Sequence, residues 1–190
     1  MNEITTNSYV KPAIQTRTMA LIAVFTALTC ILAPMSLSIP ISPVPISLTN
    51  LVIYFSIYIL GWKRGTVSYI LYLLIGLIGI PVFSGYTSGP AKLFGPTGGY
   101  LIGFILMALV CGIFVDYFKK NYYLQALGFV LGTAICYALG TLWLSYQANL
   151  AFKAALMAGV IPFIPGDLVK IILAIVLGNT VRQQLQKFQK

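Results

Sequence analysis

The chain has 190 residues, 59% of them hydrophobic and only 8% charged, with a mean hydropathy of +0.92 and a formal net charge of +9. Soluble domains carry roughly a quarter of their residues as charges, so this composition excludes an ordinary water-soluble enzyme and points to a protein dissolved mostly in lipid. At about 20 residues per crossing, the length accommodates roughly six helices and leaves no room for the ATPase domain of a complete nucleotide-driven pump.

Residues 1–16 form a polar N-terminal segment, and no small-residue cleavage motif follows it, so the first hydrophobic helix is expected to be retained. Hydropathy predicts spans at Arg17–Ala33, Ser47–Leu60, Thr66–Ile80, Gly98–Val115, Tyr122–Leu144 and Pro162–Gly178. A six-helix transmembrane domain is therefore placed at 17–182, with 183–190 as a C-terminal tail. Between the spans lie a proline-rich loop (Pro34, Pro40, Pro43, Pro45), a tight turn over 61–65, a glycine-rich loop over 81–97, a short turn over 116–121 and a less apolar, part-helical stretch over 145–161. Runs such as Tyr69–Ile80 do not alternate apolar and polar residues, which excludes a membrane β-barrel. The fold class is an all-α integral membrane protein.

Basic residues set orientation through their loop placement. Lys11 and Arg17 precede the first span, Lys63 and Arg64 follow the second, Lys119 and Lys120 follow the fourth, and Arg182, Lys187 and Lys190 follow the sixth. Only Lys92 and Lys153 fall on the opposite side, and Lys170 lies within the last span. Both termini are thus expected in the cytoplasm, and insertion accounts for the basic charge without a nucleic-acid partner. Cys30, Cys111 and Cys136 sit in apolar runs and read as packing residues. The chain has no histidine, which removes imidazole acid–base chemistry and the usual transition-metal ligands, so neither a metal nor a cofactor is expected.

Only three acids remain to be judged. Glu3 lies in the polar tail, and Asp116 at a turn beside Lys119 and Lys120, where water and surface pairing account for both. Asp167 stands at the outer start of the last helix, where a lipid-facing charge would cost about 2.5–3.5 kcal/mol. Lys170, three positions on, shares its helix face. Either the two merely neutralise each other, or they face a ligand. The second reading is strengthened by the segment Phe94-Gly95-Pro96-Thr97-Gly98-Gly99-Tyr100, which opens the fourth span on the same side after Lys92. Glycines there either expose backbone N–H groups to a ligand or serve a loop needing positive φ; no Gly-Lys-Ser/Thr follows, so this is not a phosphate loop.

The loop Ser38–Ser47 is apolar but, with Pro40, Pro43 and Pro45, cannot be helical. It is either a lid over a cavity or a connector on the membrane surface. Lid, glycine segment, Asp167, the lysines and nearby aromatics (Phe83, Tyr86, Phe94, Tyr100, Tyr146) describe a pocket for a small, partly apolar ligand bearing an anionic group and hydrogen-bond donors. In the first helix, Ala20, Ala23 and Ala27 are either filler or a small-residue docking face, Ala23 and Ala27 forming a small-xxx-small pair.

The runs Phe94–Phe104, Pro162–Lys170 and Pro43–Leu48 resemble the BioY family, the biotin-specific S components of energy-coupling factor (ECF) transporters, and the resemblance extends over nearly the whole chain. It implies a six-helix S-component bundle in a prokaryotic cell membrane, with biotin as the transported ligand and no other cofactor. The implied partners are a transmembrane coupling subunit, EcfT, and two ECF ATPases, with ATP hydrolysis on those chains driving delivery and no catalysis by this one. Asp167 is implied to accept a ureido N–H of biotin, while Lys170 donates to a ligand oxygen or orients Asp167. The Gly95–Tyr100 segment would line the pocket, with Lys92 near the carboxylate, Phe94 and Tyr146 as aromatic neighbours, and Pro43 and Pro45 in the lid. Where the family pattern places glutamine after Leu48, this chain has Thr49 and then Asn50, and Asn50 is kept as a candidate contact. Ala20, Ala23 and Ala27 would dock the coupling subunit. The alternative is a stand-alone proton-coupled vitamin carrier using Asp167.

Overall fold

A computed structural model describes residues 16–40 and 42–187. Apart from two isolated β-bridges, the regular secondary structure among these residues is helical, in the order α1 (Thr16–Leu32), α2 (Thr49–Leu60), α3 (Trp62–Leu77), α4 (Pro90–Leu93), α5 (Gly98–Tyr117), α6 (Tyr122–Gln147), α7 (Phe152–Gly159) and α8 (Ile164–Lys187). Six of them fall on the six predicted spans. α5, α6 and the Ile164–Gln184 part of α8 are long and apolar enough to cross a bilayer. α1 and α2 are shorter apolar helices.

Two boundaries and the role of one acid differ from the sequence expectation. The predicted turn over 61–65 shrinks to Gly61, whose φ of 80° ends α2 and starts α3 directly at Trp62. A side chain at that φ would be strained. The orphan N–H of Trp62 is taken up by Asp116 Oδ2 at 3.0 Å, so a carboxylate from α5 caps the start of α3. Asp116 is therefore not simply a solvated surface acid paired with Lys119 and Lys120: its Oδ1 also accepts from Arg182 of α8 at 2.7 Å. Finally, α8 continues to Lys187 rather than ending near Gly178. Residues 1–15, which include most of the predicted N-terminal tail, and 188–190 lie outside the described residues.

Close packing relies on glycines placed against large neighbours. α5 and α6 form an antiparallel pair joined by a turn, with Asn121 Oδ1 accepting from the backbone N–H groups of Tyr123 and Leu124 to cap α6. Across this pair a Cβ on Gly103 would approach the Cys136 backbone to 3.1 Å, and one on Gly140 would come within 2.3 Å of the Tyr100 ring. Such small residues let helices approach where no hydrophobic drive exists between them. α2 lies against α8, with Gly178 under the Tyr58 ring. The aromatic core is completed by Tyr54 edge-on to Phe129 at 4.8 Å and by Tyr72 edge-on to Phe83 at 5.6 Å.

α1 attaches through a face rich in threonine, not alanine. Thr26 Oγ1 and Ser68 Oγ of α3 are 3.1 Å apart, and Thr18, Ile22, Phe25 and Thr29 are buried on the same side. Ala20, Ala23 and Ala27 consequently lie exposed on the opposite side.

Candidate functional site

Two buried charges, Asp167 and Lys170, lie at one end of the bundle, where α2, α6 and α8 meet. Asp167 lies in the first turn of α8, after a helix start at Ile164 that places Pro165 where its missing N–H costs no hydrogen bond. Both Asp167 and Lys170 are buried at 8% exposure. The Lys170 ammonium is 3.0 Å from Asp167 Oδ1 and also donates to Asn50 Oδ1 at 3.0 Å and to the Ser47 carbonyl at 2.8 Å. Those three acceptors match its three protons. Asn50 donates to Asp167 Oδ1 at 2.8 Å, and the Tyr137 hydroxyl donates to Oδ2 at 2.6 Å.

A carboxylate offers about four acceptor directions. Oδ1 is filled by Lys170 and Asn50, while among the described residues Oδ2 receives Tyr137 alone and retains room for one more donor. The site thus combines a fully engaged cation with a buried anion that has one vacant acceptor direction.

This cluster forms one wall of an open cavity with about 700 Å³ of empty space, solvent at its mouth included. Tyr72, Tyr100, Phe104, Met107 and Phe163 supply apolar and aromatic lining, and Val44, Pro45 and Ser47 supply a wall from the proline loop. The loop is held by paired backbone bonds between Leu37 and Ile46, and the Ser47 carbonyl is tied to Lys170. Thr97 also lines the cavity; it is 7% exposed, and its hydroxyl has no hydrogen-bond partner among the described residues. A buried hydroxyl without a partner carries a desolvation cost, and here a ligand polar atom would relieve it.

Of the candidates read from the sequence, Asn50, Thr97, Tyr100, Asp167, Lys170 and Pro45 reach the cavity wall. Lys92, Phe94, Gly95, Pro96, Gly98, Gly99, Tyr146 and Pro43 are not brought to it. Gly98 and Gly99 adopt no positive φ; a Cβ on Gly98 would collide with the Leu93 carbonyl, and one on Gly99 with Trp143. They therefore allow the loop and α6 to approach one another. Trp143 Nε1 donates to the Gly95 carbonyl at 2.9 Å, and the Gln147 side chain donates to the Phe94 carbonyl, so the end of α6 holds this loop from outside. Phe94 and Tyr146 are exposed, at 63% and 79%. Lys92 is half-buried, and desolvation holds its ammonium below the ordinary lysine pKa.

A residue at the site that sequence reasoning missed is Tyr137. It lies in an apolar run, 30 positions before Asp167, with no neighbouring charge to mark it. A usable signal was the spacing of Thr133, Cys136 and Tyr137, which share one face of α6 and all line the cavity.

Comparison with known proteins decides the family. The BioY family model matches residues 5–187. The chain belongs to the BioY family. It is 38% identical over 160 residues to the biotin transporter BioY of Thermotoga maritima, covering 84% of this chain and 92% of that one. The biotin transporter BioY2 of Lactococcus lactis subsp. cremoris is 34% identical over 172 residues, covering 90% of this chain and 93% of the relative. Among solved structures, the S-component for biotin from an ECF-type ABC transporter matches with a TM-score of 0.82 at 33% identity, over 90% of this chain and 95% of that one. The fold of this BioY-family chain is thus that of an S component, and it is a multi-pass membrane protein. Its relatives are transporters, in agreement with the sequence reading that it is not an enzyme.

Proposed function

We propose that the chain is the biotin-binding membrane subunit of an ECF-type importer, capturing biotin at the outer face and handing it inward. The observation that carries this reading is the buried Asp167 carboxylate with one vacant acceptor direction in an aromatic cavity, in a chain whose relatives are biotin transporters. Biotin presents ureido N–H donors, an apolar thioether ring and a carboxylate. A ureido N–H fills the vacant position on Asp167 Oδ2, the fused rings lie among Tyr72, Tyr100, Phe104 and Phe163, and the Thr97 hydroxyl takes a further polar atom of the ligand. Of the two roles open to Lys170, orienting Asp167 is the better supported, because its protons are already engaged.

α1, α2, α3, α5, α6 and α8 are taken as the six crossings, with both termini cytoplasmic, as the distribution of basic residues requires. The exposed Ala20, Ala23 and Ala27 form the face on which EcfT docks, and two ATPases bound to EcfT drive reorientation of the loaded subunit. The Pro43–Pro45 segment acts as the lid, anchored to the site through the bond between Lys170 and Ser47. A stand-alone proton-coupled carrier is the weaker reading, since the solved structure that the chain resembles is an S-component from an ECF-type ABC transporter.

Calorimetric titration of the purified chain with biotin tests the proposal. Near-stoichiometric binding that is lost in Asp167→Asn is the expected result. Wild-type affinity in that variant removes the site assignment, and absence of biotin binding by the wild-type chain removes the function.

A further inference from the structure

The end of the bundle opposite the cavity carries a groove that the transport reading leaves unused. Trp62 at the start of α3 and Ile113, Phe114, Tyr117 and Phe118 at the end of α5 line it. Its lining presents apolar and aromatic side chains, with the Phe114 and Phe118 rings 5.6 Å apart. Tyr117 is 78% exposed. α5 runs from Gly98, next to the cavity, to Tyr117, a length of about 30 Å at 1.5 Å per residue. The groove therefore sits where a spanning helix leaves the hydrocarbon and meets the headgroups.

The charges around it have one sign. Lys63 lies over the Trp62 ring, its Nζ 5.2 Å from the ring centroid, and Arg64 follows it on α3. Lys119 and Lys120, both exposed, follow Phe118 directly. The nearby acid, Asp116, is neutralised by Arg182 at 2.7 Å and occupied by the Trp62 N–H, so it does not offset these four cations. An apolar floor with a basic rim matches an amphiphile with an anionic head. A free phosphate would leave the floor unused, whereas a lipid would use both parts.

We propose that this groove is a binding site for an anionic phospholipid, with an acyl chain over Trp62 and Phe114 and the headgroup among Lys63, Arg64, Lys119 and Lys120. Basic pockets beside spanning helices on the cytoplasmic side attract such headgroups, each basic residue near the surface favouring them about fivefold. Occupancy would brace the junction at which Asp116 ties α3, α5 and α8 together.

The chain has two tryptophans, Trp62 and Trp143, so Trp143→Phe leaves Trp62 as the reporter. This variant is reconstituted in phosphatidylcholine vesicles containing phosphatidylglycerol, with either lipid brominated on its acyl chains at equal mole fraction. The expected result is quenching of Trp62 by brominated phosphatidylglycerol as if it were locally enriched about fivefold or more, with the enrichment falling to about one fifth or less in Lys119→Gln/Lys120→Gln. Equal quenching by the two lipids overturns the proposal, as does an unchanged preference in the lysine variant or a Trp62 shielded from both lipids, which would point to a protein partner. Native mass spectrometry of the wild-type chain from equal mixtures of the two lipids gives a readout independent of Trp143→Phe. Retained phosphatidylglycerol adducts that disappear in the lysine variant support the site, and their absence from the wild type refutes it.

Discussion

The pairing of Asp167 with Lys170 predicts a non-additive response to mutation. In Asp167→Asn the buried ammonium of Lys170 keeps the Ser47 carbonyl and Asn50 but loses its anionic partner. In Lys170→Met the carboxylate keeps Asn50 and Tyr137 but loses its cation. Removing one member of a buried pair costs about 3–5 kcal/mol, because the remaining charge is left uncompensated. At the scale of a 150–250-residue chain, 3 kcal/mol lowers the thermal midpoint by roughly 6–12 °C. The double variant Asp167→Asn/Lys170→Met contains neither charge, so it is expected to be more stable than the sum of the single losses allows, by about 2–3 kcal/mol of coupling. Thermal unfolding in detergent, followed by tryptophan fluorescence, measures all four corners of the cycle. Biotin titration separates stability from recognition: both variants lacking Asp167 lose a charge-assisted hydrogen bond worth roughly ten- to hundredfold in affinity. Lys170→Met retains that acceptor and is expected to weaken binding chiefly through faster release, because the Ser47 end of the loop is no longer held. Strictly additive stability losses, or single variants as stable as wild type, would refute the reasoning.

Four further outcomes are expected. Thr97→Val replaces a buried hydroxyl lacking a partner with a methyl group, so the unliganded protein should be unchanged or slightly more stable, while biotin affinity measured by titration falls roughly three- to tenfold. Tyr137→Phe removes the donor that Asp167 Oδ2 has among the described residues and should cost about 1.5–3 kcal/mol in thermal stability, a loss that shrinks when Asp167 is already Asn. Gly140→Ala, which would ordinarily stabilise a helix by about 1 kcal/mol, is expected instead to lower both the thermal midpoint and biotin affinity, because its Cβ would come within 2.3 Å of the Tyr100 ring on the cavity wall. Leucine at Ala23 and Ala27, both exposed, should leave biotin binding intact while co-purification with the coupling subunit and ATPases falls; retained co-purification would move the docking face elsewhere.

What could be read in advance followed the cost of each residue type in lipid. Apolar runs were visible because a bilayer requires them, and the six predicted spans overlap α1, α2, α3, α5, α6 and α8, of which α5, α6 and α8 are long and apolar enough to cross. Asp167 and Lys170 stood out because charges there are expensive, and the structure brings both to the cavity. Tyr137, and the contact made by the carbonyl of Ser47 in a loop read as a lid or a connector, escaped notice for the opposite reason. A tyrosine in an apolar helix is ordinary, and a backbone carbonyl has no sequence signature at all. The GPTGG run was conspicuous, but its chemistry divided within five residues: Thr97 faces the cavity, while Gly98 and Gly99 face Leu93 and Trp143. Which way a loop residue turns depends on what packs behind it, here an α6 tryptophan more than 40 positions away.

Asp116 shows how far three-dimensional context can move an apparently routine residue. Beside two lysines in a turn it reads as a solvated acid, yet it caps α3 and binds α8 through Arg182. Arg182 lies 15 residues along α8 from Asp167, about 22 Å at 1.5 Å per residue. Between them Asn179 donates to Gln125 Oε1 of α6, which also accepts from Tyr58 of α2. α2, α6 and α8 are therefore cross-linked by polar groups twice, once at the ligand cavity by Asn50, Tyr137, Asp167 and Lys170, and again near the opposite end. In lipid such bonds do not compete with water, so the three helices should respond to a ligand at Asp167 as one body. If partner chains drive reorientation as proposed, that stiffness would let the bundle move as a whole rather than have its cavity pried open.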